Sequence, residues 1–257
     1  MQSEKRSEKR HWNGFWKNSP DIDQVYDNEQ RVTRHFSEIA SSEGLKVLEV
    51  GSGSGRDGIE FSRMGATVVS LDYSREALGL VKSQLREGDS VEICCGDAFR
   101  LPFGDGTFDL VFHQGLLEHF RNPEDMIEEH RRVLKKGGYI LVDVPQRYHY
   151  YTVIKHLMIR LGKWFAGWET EFSVRELEDL LRGHGFRIVR SYGEWLNPPI
   201  WYRMLRKVLL GIKVPLPMHP RFFAFFRRNF SGIRSNLLSR RIVLYSTVVI
   251  GTIGKKK

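Results

Sequence analysis

Apolar and polar positions along this chain switch between two periods. Short apolar, β-branched runs fall at Lys46–Val50, Ala66–Leu71, Val91–Cys95, Phe108–Phe112, Tyr139–Val144 and Gly185–Val189. They read as strands buried in a sheet. Helical spacing fills the intervals. A polar helix is expected over Asp21–Ser42, another from Arg56, and a third after Ser74, which caps it with Glu76 in the first turn. Pro123 opens a helix that aligns Met126, Ile127, His130, Val133 and Leu134, and Lys135-Lys136-Gly137-Gly138 closes it. Glu169–Arg182 is helical, with Ser173 and Glu176 spaced as a capping box. Arg241–Ile253 alternates weakly and reads as the last strand. Strands alternating with helices predict a parallel sheet covered on both faces, and no internal repeat appears.

The first run leads into Gly51-Ser52-Gly53-Ser54-Gly55-Arg56-Asp57-Gly58. Glycines at a strand-to-helix turn let the backbone approach a ligand, and the helix start offers unpaired N–H groups to it. Gly53-x-Gly55-x-x-Gly58 matches a dinucleotide fingerprint literally, which alone is a weak signal. Asp72, at the tip of the second strand, is placed to accept bonds from both ribose hydroxyls of an adenosine cofactor. It serves NAD and S-adenosylmethionine equally and disfavours NADP.

Composition narrows the classes. The 257 residues, 41% of them hydrophobic, fit one large domain. No window is long and apolar enough for a membrane span, and the charged first ten residues carry no apolar segment behind them, so no secretory signal is expected. Cys94 and Cys95 are adjacent, which suits neither an ordinary disulfide nor a zinc site; no metal is expected. From Asn197 to Lys257 there are 13 Lys and Arg and no acid, within a net charge of +9. A mildly acidic body thus carries a basic final section. Such asymmetry fits an anionic surface as partner, or simply a solvated basic face.

Glu49-x-Gly51-x-Gly53-x-Gly55 resembles motif I of the class I S-adenosylmethionine-dependent methyltransferases. Gly96-Asp97-Ala98 followed by Leu101-Pro102-Phe103, then Phe108-Asp109-Leu110-Val111, resembles the next part of that pattern. Leu117-Glu118-His119 and Val133-Leu134-Lys135-Lys136-Gly137-Gly138 resemble the stretch that the family shows between its fourth and fifth strands. The likeness covers roughly residues 30–195 and 237–254. It implies a Rossmann-like, seven-stranded, mostly parallel α/β sheet with strand seven antiparallel and helices on both faces. It implies S-adenosyl-L-methionine as cofactor. Its contacts would come from Glu49, Gly51, Ser52, Gly53, Asp72, Tyr73, Asp97, Ala98 and Gln114, with Asp97 on the adenine amino group and the Ala98 N–H on the ring. His113, just past strand four, and His119 are the candidate bases, each with a plain structural alternative.

Three regions are expected to vary within a single domain spanning 1–257. Residues 1–20 form a flexible N-terminus whose His11–Trp16 aromatics act either as a lid or as packing. Segments 146–168 and 197–236 form an α-helical cap of substrate inserts. In the first, Val153, Ile154, Leu157, Met158, Leu161 and Phe165 share a helical face. In the second, Trp201, Met204, Leu205, Val208 and Leu209 oppose Arg203, Arg206 and Lys207, and five phenylalanines from Phe222 to Phe230 follow. Asn197-Pro198-Pro199 reads as a turn, not as the Asn-Pro-Pro-aromatic that nitrogen-directed enzymes carry after strand four. The resulting expectation is methyl transfer to a small-molecule or lipid acceptor through a hydroxyl or carbon nucleophile. The cytoplasmic chain would sit peripherally on the anionic inner face of a membrane. A soluble acceptor under an apolar lid, an RNA acceptor and a non-catalytic cofactor-binding regulator are the alternatives; nucleic acid is disfavoured because the aromatics are mostly Phe set among Leu and Val. The oligomeric state is left open.

Overall fold

The computed structural model describes residues 9–18, 30–162, 164, 169–195, 200–211, 214–217 and 240–257. In chain order these form α1 (Lys9–Asn18), α2 (Arg31–Ser37), β1 (Lys46–Val50), α3 (Arg56–Arg63), β2 (Thr67–Asp72), α4 (Arg75–Gln84), β3 (Val91–Cys95) and β4 (Phe108–Gln114). A 3₁₀ turn (Leu117–His119), α5 (Glu124–Val133), β5 (Leu134–Pro145), α6 (Tyr150–Arg160) and α7 (Val174–Gly183) follow. The last elements are β6 (Phe186–Glu194), α8 (Ile200–Gly211), α9 (Arg241–Leu244) and β7 (Val249–Lys256).

The seven strands lie in the order β3-β2-β1-β4-β5-β7-β6. Every pair is parallel except β5–β7 and β6–β7, so β7 alone runs against the rest. Adjacent strand residues point to opposite faces, and the core divides accordingly. Leu48, Val111 and Ile140 meet Met126 and Ile127 of α5 and Leu177 and Leu181 of α7 on one face. Val47, Leu110, Phe112 and Leu141 meet Val32 and Phe36 of α2 and Phe61 of α3 on the other. The chain proceeds outward from β1 to β3 in one direction and restarts at β4 in the other. The switch point therefore lies between β1 and β4, at whose carboxyl ends a ligand crevice opens in sheets of this kind.

Several boundaries differ from expectation for identifiable reasons. The described helix before β1 covers Arg31–Ser37, within the polar helix expected over Asp21–Ser42, whose residues 21–29 lie outside the described residues. α5 stops at Val133, because Leu134 is already extended and pairs with Phe108. α7 begins after its Ser173 cap; the capping box with Glu176 is present, but Glu169–Phe172 is not helical and instead bridges Gln146 through Phe172. The expected last strand splits, since Arg241–Leu244 forms a helical turn before β7. Pro20, Phe165, Asn197-Pro198-Pro199 and Phe222–Phe230 lie outside the described residues.

Candidate functional site

At the end of β1 the backbone turns through Gly53 at φ 54°, a left-handed conformation that favours glycine. Asp72, at the end of β2, fixes this turn. One of its carboxylate oxygens accepts the Gly53 N–H at 2.9 Å and the other accepts the Ser74 N–H at 2.8 Å. Tyr73 is half-buried beside it, and burial together with the Asp72 charge raises its phenol. The Ser52 hydroxyl is buried with no hydrogen-bond partner among the described residues.

Glu49 supports the turn from beneath. It is buried, accepts from the Ser70 hydroxyl at 3.1 Å, and occupies the space that a Cβ on Gly58 would need. Gly58 is thus required by close approach. Burial, then the neighbouring Asp57, pushes the Glu49 carboxyl well above the usual range. Asp97 is exposed beyond β3 and turns back to accept the Phe99 N–H at 2.9 Å, while Ala98 packs against the core. Gln114 ends β4, half-buried, opposite Asp143 of β5.

The two candidate histidines part company. His113 lies within β4, paired with Val142, not past the strand. Its ring is fully buried, 5.3 Å from that of His130 on α5, and no nitrogen of either ring has a hydrogen-bond partner among the described residues. Burial, then His130, holds His113 well below its ordinary value; burial takes His130 down to about 3. Both are core imidazoles, neutral at physiological pH. The register of β4 explains the difference, because His113 follows Val111 onto the α5 face. His119 instead sits in the 3₁₀ turn, 4.9 Å from the Trp12 ring of α1. One helical turn along α1, Trp16 rests on the cradle: a Cβ on Gly53 would lie 2.5 Å from its indole. Leu116 touches the other side, 2.9 Å from the Cβ position of Gly51. α1 therefore spans from the glycine turn to the 3₁₀ turn, over the carboxyl ends of β1 and β4.

A charged cluster at the adjoining strand ends was not foreseen. Lys155 of α6 is buried between Glu169 Oε2 at 2.9 Å and Glu171 Oε1 at 2.7 Å, and the Trp164 indole donates to Glu169. Burial alone would lower the ammonium, but the two carboxylates outweigh it. Nearby, Arg31 and Tyr192 both bind Asp143, at 2.6 and 2.7 Å. The sequence did hold a signal: Lys155 stands among apolar residues in a segment without acids, and Glu169 and Glu171 are the first acids after it. A left-handed glycine turn, an orphan hydroxyl and a carboxylate braced by backbone N–H groups together suit an adenosyl cofactor at the switch point.

Comparison with known proteins agrees. Residues 48–142 match the family model described as a methyltransferase domain. An uncharacterised methyltransferase of Synechocystis sp. is 35% identical over 160 residues, 60% of this chain and 72% of that one. A demethylmenaquinone methyltransferase of Renibacterium salmoninarum is 34% identical over 104 residues, 40% of this chain and 43% of its own length. The crystal structure of magnesium protoporphyrin IX methyltransferase from Synechocystis, which holds S-adenosylhomocysteine, superposes with a TM-score of 0.62 at 13% identity, covering 97% of this chain and 99% of that one. The fold, the cradle and these relatives converge: the chain belongs to the class I S-adenosylmethionine-dependent methyltransferases.

Proposed function

We propose that this enzyme methylates a hydroxyl or carbon nucleophile of a lipophilic acceptor presented at an anionic membrane surface. In this reading Glu49, Gly51, Ser52, Gly53 and Gln114 serve the methionine end of the cofactor. Asp72 and Tyr73 serve the ribose, and Asp97 and Ala98 the adenine. The bound cofactor supplies an electrophilic methyl on a sulfonium; the chain's own work is to align the acceptor, exclude water and receive its proton. His119, beside the cradle, is better placed for that neighbourhood than His113.

One observation carries the membrane part. α6 is inverted relative to an ordinary surface helix. Thr152 and Lys155 face inward, while Val153 is 73% exposed, with Leu157 and Leu161 each at 57%. Solvated apolar side chains on one helix face mark an interaction surface, and the acid-free basic section would gain up to roughly 1 kcal/mol per cation near anionic lipid. The relative that acts on demethylmenaquinone makes a lipid quinone precursor a reasonable first acceptor to try. No helix among the described residues is long and apolar enough to cross a membrane, so the association would be peripheral. Flotation with phosphatidylglycerol vesicles tests this. Binding should appear at low salt, weaken at high salt, and be lost in a Val153→Asp, Leu157→Asp double variant. A parent chain that binds cofactor but does not float favours the soluble acceptor.

A further inference from the structure

We propose that the Glu118 carboxyl is the counter-charge for the cofactor's sulfonium, protonated while the cradle is empty, ionised when the cation binds, and reprotonated by the acceptor as the methyl leaves. Glu118 belongs to the 3₁₀ turn that borders the cradle. Leu116, two residues earlier, leans on Gly51, and His119, the next residue, lies under Trp12 of the helix whose Trp16 covers Gly53. The carboxyl itself lies at the end of β4, where a Cβ on Gly115 would be 3.7 Å from Glu118 Oε1, and the residues on either side of Glu118 reach the glycine turn and the helix that covers it. It is 4% exposed, and its Oε2 has no hydrogen-bond partner among the described residues. Its own backbone N–H and Lys155 favour the anion, but burial outweighs them.

Among the surrounding charges Glu169 and Asp143 also disfavour the anion, against Lys155. Thr170 N binds the Glu118 carbonyl at 2.9 Å, which brings the segment of Glu169 and Glu171 alongside. Lys155 from α6 bridges those two acids, and the half-exposed His156 meets Glu171 at the rim. Asp143 of β5 is matched by Arg31 of α2. One ammonium against two carboxylates, and one matched pair, leave a surplus negative charge before Glu118 is counted. Burial, then Glu169, accordingly raises the Glu118 carboxyl to about 8. A buried site with negative surplus favours an arriving cation and disfavours a second anion. With the sulfonium in place the carboxylate is compensated. During transfer the bond from methyl carbon to acceptor oxygen or carbon forms as the carbon–sulfur bond breaks, its electron pair remains on sulfur, and the acceptor proton passes to Glu118 Oε2. Cation plus carboxylate becomes thioether plus carboxylic acid, so the site stays electroneutral throughout.

The final proton transfer rests on the proposed hydroxyl or carbon nucleophile; the coupling to the cofactor does not, and it is measured without any acceptor. Calorimetry of S-adenosylmethionine and S-adenosylhomocysteine binding at pH 7, in buffers of different ionisation enthalpy, counts the protons exchanged. S-adenosylmethionine should release about 0.5–1 proton more than the neutral thioether. Its affinity for the parent should rise up to roughly tenfold per pH unit from pH 6 to 8, while that for S-adenosylhomocysteine stays flat. In Glu118→Gln the excess release and the slope should vanish, with S-adenosylhomocysteine affinity within about twofold of the parent. Equal proton release for the two ligands in the parent, or an excess that persists in Glu118→Gln, overturns the proposal. Should the variant bind neither ligand, the slope of the parent decides alone: a flat profile for both ligands refutes the coupling.

Discussion

The two halves of the ligand crevice are built on opposite principles. At β1 and β2 the site is made by omission and backbone: glycines leave room, and Asp72 holds main-chain N–H groups. At β4 and β5 it is made by buried charge, with Lys155, Glu169, Glu171, Asp143 and Arg31 carrying the packing. A backbone cradle fits one invariant ligand. Paired side chains are expensive to bury, and each member depends on the others. The contrast also predicts unequal fragility, because an ion pair broken inside the protein leaves a bare charge, whereas a lost cradle bond leaves an uncharged N–H, a smaller penalty.

Lys155→Met should therefore be the most damaging change, costing about 3–5 kcal/mol by urea unfolding, since Glu169 and Glu171 lose their common cation. A cost under about 1 kcal/mol would show that the cluster is solvated. Asp72→Ala should leave stability closer to parental but weaken cofactor binding by about 1.5–3 kcal/mol in calorimetry, as for other charged hydrogen bonds. Gly58→Ala should cost about 1–3 kcal/mol, because the new methyl meets the Glu49 carboxyl; a neutral result would mean that Glu49 moves aside freely.

The smallest effect should be confined to acid. His113 and His130 are held below the ordinary value, so below pH 6.5 the unfolded chain binds protons that the native one refuses. Stability is then fully present above pH 6.5 and falls as pH drops toward 3. His130→Leu should flatten that limb by about 1–2 kcal/mol at pH 5, measured against its own neutral-pH value. An unchanged acid limb would place the pair in contact with water.

The glycine-turn half was legible in sequence because its chemistry is written in local spacing. Val91–Cys95 matches β3 residue for residue, and the Ser173–Glu176 box marks the start of α7. The charged half at β4 and β5 was less so. Periodicity found α6 but not which side faces inward, since an apolar stripe is the same pattern whether it meets a core or not; the buried partners of Lys155 decided that. His113 shows a related limit. Register sets which face a residue takes, and β4 runs further than its apolar run suggests because Gln114 still pairs with Asp143.

The position of β7 bears on synthesis. It lies between β5 and β6, and its Gly251 leaves the space that Tyr192 and Asp143 fill to reach each other. β6 joins the backbone ladder of the sheet only through β7, so that pairing waits until residues 249–256 emerge from the ribosome. The nascent chain is thus able to pair β1 to β4 while the far edge of the sheet still awaits its keystone, a vectorial order in which the glycine-turn half of the crevice matures first.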